Sequence, residues 1–339
     1  MKNTLPALIA LSITLPTVAA DRLVPSQYST IQAAIDAAAN GDVVQISPGS
    51  YAGPIDLKGK AITVRSVGGA ASTTVSGGAP VVRCVSGESA STVIDGLTIT
   101  GGVNSQADGG GIRCFGSSPV IRNCQIIGNS ANRGGGIFID GGGPSVSACL
   151  IAGNTGSIPN RFPAGAGIFI SNSLARVSDC NVTGNQMNVP YDASAGQAGT
   201  GGNTTGAGIH AEGSQSVLIE RTTIISNQQA LNAPGCANVG AGIFMNCPGQ
   251  IVDCVIRENT VSGCGTTVGG IYFASNLASM RTTRVCGNGG TQLFGAYINL
   301  GGNSVNSTCP SCPGDLNGDG QINGADLGLL LTNWGPCPN

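Results

Sequence analysis

One phrase returns along this chain and limits what it can fold into. It reads GGGIRC at 109–114, GGGIFID at 134–140, GAGIFIS at 165–171, GAGIHAE at 206–212, GAGIFMN at 240–246 and GGIYFA at 269–274. The isoleucine anchors are Ile112, Ile137, Ile168, Ile209, Ile243, Ile271 and Ile298, at intervals of 25, 31, 41, 34, 28 and 27 residues. Self-similarity at such a spacing is the mark of a repeat architecture. The anchor and the residue two further on are both apolar: Ile112 and Cys114, Ile137 and Ile139, Ile168 and Ile170, Ile243 and Met245, Ile271 and Phe273. That is the period of a strand with one buried face.

A second ladder follows in each copy. It runs Leu97, Cys124, Cys149, Cys180, Thr222, Cys254 and Thr283, with Ile99, Ile126, Ile151, Val182, Ile224, Ile256 and Val285 two residues later. Three residues beyond stands an asparagine: Asn129, Asn154, Asn185, Asn227, Asn259 and Asn288. Asparagine tolerates a left-handed backbone better than other non-glycine residues, so these positions are expected to turn left-handed. Stacked at one corner of a coil, their amides can also hydrogen-bond to those above and below. Short strands without a helical period, in constant register, describe a solenoid of parallel strands. No rung buries its own apolar face, so rungs stack into one continuous core.

These ladders resemble the right-handed parallel β-helix of the pectin lyase-like group, including its asparagine ladder and stacked interior. The segment TIQAAIDAAANGDVVQISPGSYAGPIDLKGKAITVRS at 30–66 is similar to that group's opening. The resemblance implies an all-β, right-handed β-helix over 21–308 and says little about activity, since function lives in sites grafted on folds. Within the opening, Ser29 is the expected N-cap of a helix with Ile31, Ala34, Ile35 and Ala38 on one face and Gly41 past its end. Such a helix suits the open end of a solenoid, where strand edges and core need cover.

Residues 1–20 carry one lysine, an apolar run and small residues before Asp21. That pattern predicts a secretory signal peptide, too short and too proline-broken to span a bilayer. An extracellular, periplasmic or cell-surface location follows, and no later stretch reaches transmembrane length. With 9% charged residues and a formal net charge of −2, the surface lacks the clustered basic charge that nucleic acid requires. Export also permits disulfides among the 13 cysteines. Those in the inward ladders read as small hydrophobes. Cys236 and Cys264 each lie seven residues before an anchor, in glycine-rich loops. Rungs about 4.8 Å apart place them within disulfide range. The longest loop, 186–205, holds Tyr191 and Asp192, and long loops on rigid scaffolds commonly carry binding.

Composition changes near residue 309. The segment 315–326 places oxygen ligands with calcium-loop spacing: Asp315, Asn317, Asp319, the Gln321 carbonyl, Asn323 and Asp326, with Gly320 at the sharp turn. Followed by DLGLLL, it resembles one dockerin repeat, implying calcium as the cofactor of a small EF-hand-like attachment module over 309–339. Dockerins that bind cohesin carry two such repeats, so the single copy here weighs against a cohesin-like partner. Cys312 and Cys337 flank the unit and are placed to staple it.

The paired-aspartate and histidine motifs of pectin methylesterase-like and polygalacturonase-like enzymes are absent. After Lys60 there is no lysine to serve as a lyase base. Residues one and three past each anchor point outward. Phe138, Phe169, Phe244 and Tyr272 then form a column of rings interrupted by His210, with Asp140 and Glu212 beside it. Three readings stand: a satellite core covered by loops, a carbohydrate-binding groove, or a catalytic site using Asp140, His210 and Glu212. The function expected is contact with polysaccharide or another surface partner, the alternative being a polysaccharide lyase or glycoside hydrolase on this outer face. Asp179, Arg221 and Asp253, on successive rungs, are expected to form a salt-bridge stack.

Overall fold

A computed structural model describes residues 19–104, 108–156, 163–189, 204–231, 238–263, 267–309 and 324–332. The strands form parallel sheets wound around one core, as the repeats require. Sheet A has eleven strands from Asp21–Val24 to Ile298–Asn299, sheet B has ten from Gly49–Ala52 to Ser304–Asn306, and sheet C is built on the anchor strands from Ile55–Asp56 to Thr291–Phe294. A fourth, six-stranded sheet D runs from Val103–Asn104 to Thr260–Gly263. All but the first of its strands come from segments directly after the asparagines, where the sequence suggested only loop. Gln186–Val189, at the start of the longest expected loop, is one of them.

Register follows the anchors closely. Ile112 faces Ile137, Ile137 faces Ile168, Ile168 faces Ile209, and Ile209 faces Ile243. All are fully buried, as are Ile99, Ile126, Ile151, Val182, Ile224 and Ile256 of the second ladder. The last expected anchor is corrected: Ile271 pairs with Leu293, while Ile298 belongs to sheet A and is exposed. The final copy has lost its G-x-G phrase, so the spacing pointed to the wrong apolar residue.

The asparagines stack as expected, but their backbones do not turn left-handed. The residue before each does so instead: Gly128, Gly153, Gly184, Ser226, Glu258 and Gly287 all have φ between 55° and 63°. Every asparagine Nδ2 donates to a carbonyl one rung back, as Asn185 does to Ile151 O at 2.9 Å. It also donates to the Oδ1 of the next asparagine, as Asn185 does to Asn227 at 2.9 Å. That Oδ1 accepts the backbone N–H of the preceding asparagine too, at 3.0 Å for Asn185 to Asn227. Gln292 Oε1 ends the stack by accepting from both Asn288 nitrogens at 3.0 and 2.9 Å.

A second left-handed corner precedes the cysteine ladder, at Asn123, Ala148, Asp179, Arg221, Asp253 and Thr282. There each ladder side chain donates to the carbonyl two residues back. Cys124, Cys149, Cys180 and Cys254 do so from sulfur at 3.1–3.2 Å, Thr222 and Thr283 from oxygen at 2.8 and 3.0 Å. Cysteine and threonine therefore alternate in one ladder because both are small and carry a donor. Burial pushes the Cys254 thiol up to about 12, which suppresses the reactive thiolate.

Helix α1 spans Ile31–Ala37, with Thr30 rather than Ser29 as N-cap, its side chain accepting from Ala33 N. Ile31, Ala34 and Ile35 are buried in the solenoid core. Helix α2 spans Gly324–Thr332. Among the described residues no helix is long and apolar enough to cross a membrane. One disulfide not expected from the sequence joins Cys286 to Cys309, anchoring the last residues of the coil. Cys236, Cys264, Cys312 and Cys337 lie outside the described residues.

Candidate functional site

The outward residue following each sheet C anchor forms a single file: Arg83, Arg113, Phe138, Phe169, His210, Phe244, Tyr272 and Phe294. Parallel register sets these residues one strand spacing apart, so their rings stack. From Phe138 to Phe294, successive centroids are 5.4, 4.9, 4.7, 5.5 and 5.2 Å apart, with interplanar angles of 15° or less. Phe294 joins the file unexpectedly, because its strand was misassigned in the sequence along with Ile298.

Cover over the file is uneven. Phe138, Phe169 and His210 are only 3%, 1% and 4% exposed, and Ala164 closes over the two phenylalanines. Arg133 lies across them, its guanidinium carbon 5.5 Å from the Phe138 centroid and 4.9 Å from that of Phe169. Asp108 fixes that guanidinium with contacts of 3.1 and 2.6 Å. This half is a satellite core, as one of the three readings expected. Phe244 and Tyr272 are half-buried, and Phe294 is 46% exposed. The file thus emerges from under its loops toward the C-terminal rungs.

His210 is enclosed. Phe169 and Phe244 cover both ring faces, Nδ1 shares a 2.9 Å hydrogen bond with Thr205 Oγ1, and Nε2 lies 3.2 Å from Glu212 Oε2. The last contact is electrostatic, since Nε2 has no well-aligned hydrogen-bond partner. His210 beside it, and Arg133 at longer range, hold the Glu212 carboxyl below its ordinary range, against a burial that pushes it up. Asp140 faces Ser171, which faces Glu212. Two strand spacings, about 9.6 Å, separate the two carboxylate positions. The structure therefore gathers the rings and the His210–Glu212 pair but does not converge Asp140 with them.

Of the other charge cluster, Arg221 grips Asp179 through Nε and Nη2 at 2.7 and 2.8 Å and also meets Glu220 at 3.0 Å. Asp253 makes no ion pair with a described residue, so the expected three-charge stack is a pair with a different third member. Of the calcium-loop positions, Asp315, Asn317, Asp319, Gln321 and Asn323 lie outside the described residues. Asp326 stands in the first turn of α2 and is 2% exposed, between the exposed Ala325 and Leu327.

Residues 71–305 match the family described as "Right handed beta helix region". The match spans more than half of the 339 residues, and the chain belongs to that right-handed β-helix family. Among solved structures it is similar to pectin methylesterase from carrot, at 11% identity over 97% of this chain and 99% of that one, with a TM-score of 0.44. A pectin methylesterase mutant in complex with a hexasaccharide gives 11% identity, 96% and 100% coverage and a TM-score of 0.45. An alginate lyase from Paenibacillus sp. gives 11%, 84% and 99%, with a TM-score of 0.28. No match is found among curated proteins. At these identities the likeness concerns fold alone.

Proposed function

We propose that this is an exported protein that binds polysaccharide along the outer face of sheet C, and that residues 309–339 form a calcium-binding attachment module. One observation carries the binding reading: the stacked file of rings leaves its cover at Phe244, Tyr272 and Phe294. Rings set one strand apart along a straight axis offer a polymer repeated apolar contacts, with polar outward side chains such as Asn246 beside them. Because each ring's faces lie against its neighbours, the row offers a partner its ring edges and the outer side of Phe294. The enclosed His210 is read as a spacer that keeps the file continuous, and α1 as the cover of the coil's first rungs.

The experiment that tests this reading is a turnover screen over pectate, alginate, xylan and cellulose, following both reducing ends and unsaturated uronates. Binding without turnover is expected. Cleavage of any of them, abolished by Glu212→Ala or His210→Ala, contradicts the reading and makes the face catalytic.

For the module, Asp326 supports the ligand set. Asp326, in the first turn of α2, is position twelve of that loop, the position that closes the coordination of a calcium loop. Calcium, when bound, draws the loop carboxylates into one cluster; Asp315, Asn317, Asp319, Gln321, Asn323 and Asp326 would hold it. Aspartate in place of glutamate at the last position shortens its reach, so affinity is expected near 10⁻⁴ to 10⁻³ M, on the order of extracellular modules. Adding calcium should give a saturable change in Trp334 fluorescence, reversed by chelator and lost in Asp315→Ala. Flat emission to millimolar calcium, with no heat in calorimetry, would falsify the assignment.

A further inference from the structure

At the N-terminal end of the same outer face, the file changes from rings to cations. Arg83 and Arg113 are register partners on adjacent strands, which sets their backbones about 4.8 Å apart. They line a pocket of about 410 Å³ together with Pro80, Val85, Asn104 and Phe115. That volume lies within the range of about 300–1,000 Å³ that small-ligand sites occupy. Phe115 is 50% exposed and Val85 38%, so the pocket has an apolar wall beside its charged one.

The charge there is only partly balanced, since in register one acid, Asp56, stands beside two arginines. Arg22, Arg122, Arg133, Arg176, Arg221 and Arg257 each meet a carboxylate. Arg83 and Arg113 form no ion pair with a described residue. The nearest acid in register, Asp56 below Arg83, has its Oδ1 engaged by Lys58 N. Arg113 is instead held by rings, its guanidinium carbon 5.9 Å from the Phe115 centroid and 5.6 Å from that of Phe138. Its Nε is buried with no hydrogen-bond partner among the described residues. Two like charges one rung apart repel, and buried donors without partners are rare. An anion held between the two guanidinium groups relieves the repulsion.

We infer that this pocket binds an acidic sugar unit, its carboxylate or sulfate against Arg83 and Arg113 and its ring against Phe115. The inference rests on the polysaccharide-binding reading and names the chemistry of one end of that face. Guanidinium forks suit planar or tetrahedral oxyanions, and the flanking apolar wall suits a ring, which a free inorganic anion lacks. Tyr272 lies five strand spacings along the file, about 24 Å away. A chain laid along the axis would meet the cationic pocket first and the exposed rings last.

Calorimetry on the full-length protein tests it, with three probes: an oligogalacturonate, a heparin-derived oligosaccharide and a neutral cello-oligosaccharide. An acidic probe should bind more tightly than the neutral one, with affinity that falls as salt rises. Arg83→Ala and Arg113→Ala should each weaken acidic binding by at least about tenfold and leave neutral binding unchanged. Phe115→Ala removes the apolar wall and one of the two rings that hold Arg113, so it should weaken acidic binding as well, and thermal unfolding checks that each variant folds. Preference for the first acidic probe identifies the anion as carboxylate, preference for the second as sulfate. Equal binding of acidic and neutral probes, or binding indifferent to both arginine changes, overturns the pocket while the broader reading stands. If no probe binds the wild-type protein, both fall.

Discussion

Replacing Asn185 with leucine should destabilise the coil by about 4 kcal/mol, seen as a large fall in the urea midpoint. The side chain is fully buried in the middle of the stack. Removing it takes the Nδ2 donor from Ile151 O and from Asn227 Oδ1, each at 2.9 Å. It also takes the acceptor from Asn154 N and Nδ2, each at 3.0 Å. Leucine keeps the branching at Cγ but none of the bonds, and each buried polar group left without a partner costs about 1–3 kcal/mol. Asn154 N–H is the worst placed, since its only partner across the rung is lost. The effect should shrink at Asn288, where Gln292 already supplies the last acceptor and solvent is nearer. A loss at Asn185 no greater than that of an exposed change such as Asn306→Ala would mean the ladder is not a source of stability.

Gly208→Ala should cost about 3 kcal/mol or more, for a different reason. A Cβ there would stand 2.5 Å from Gly242 O, 3.0 Å from the Ile224 side chain and 3.1 Å from Asn227 Nδ2. The first neighbour is backbone of the next rung and cannot move without breaking register. Overpacking a close-fitted core costs typically 1–3 kcal/mol, and more where nothing yields. Gly153 separates crowding from backbone conformation: its φ is +59°, but a methyl group added there would meet nothing within 4 Å. Gly153→Ala should therefore show only the left-handed penalty of about 1–2 kcal/mol. Thermal unfolding of the two variants side by side checks the order. Equal losses would mean that the close approach to Gly242 O adds nothing at Gly208.

These two changes touch the parts of the fold that were legible in the sequence. Alternation at the anchors and the repeated asparagine exposed the coil because one-sided burial imposes a period on every copy. What stayed hidden lacks such a period. Sheet D is built partly from pairs of residues such as Ser130–Ala131 and Thr155–Gly156, too short to alternate. The corner role of Cys124 and Thr222 depends on a carbonyl two residues back, which composition does not reveal. Cys286 and Cys309 meet because the last rung returns to sheet B, a distance fact rather than a spacing fact. The outward column was legible as a column, but its cover was not. Arg133 and Ala164, which close over Phe138 and Phe169, come from segments whose lengths vary from copy to copy. Arg83 and Arg113 were legible as outward residues, but that they stand side by side without an ion pair to a described residue is a fact of register.

Retention in native gels cast with polysaccharide tests the central claim most directly. The wild-type protein should be retarded, relative to a polysaccharide-free gel, by at least one of pectate, alginate, xylan or cellulose derivatives. Tyr272→Ala and Phe294→Ala should each restore most of the free mobility, because their rings are the ones within reach of a partner. Phe169→Ala should destabilise the fold, by about 3–5 kcal/mol, without a selective loss of retention in the protein that remains folded. Unretarded migration of the wild-type protein in every gel, or retention indifferent to Tyr272 and Phe294, would contradict the account.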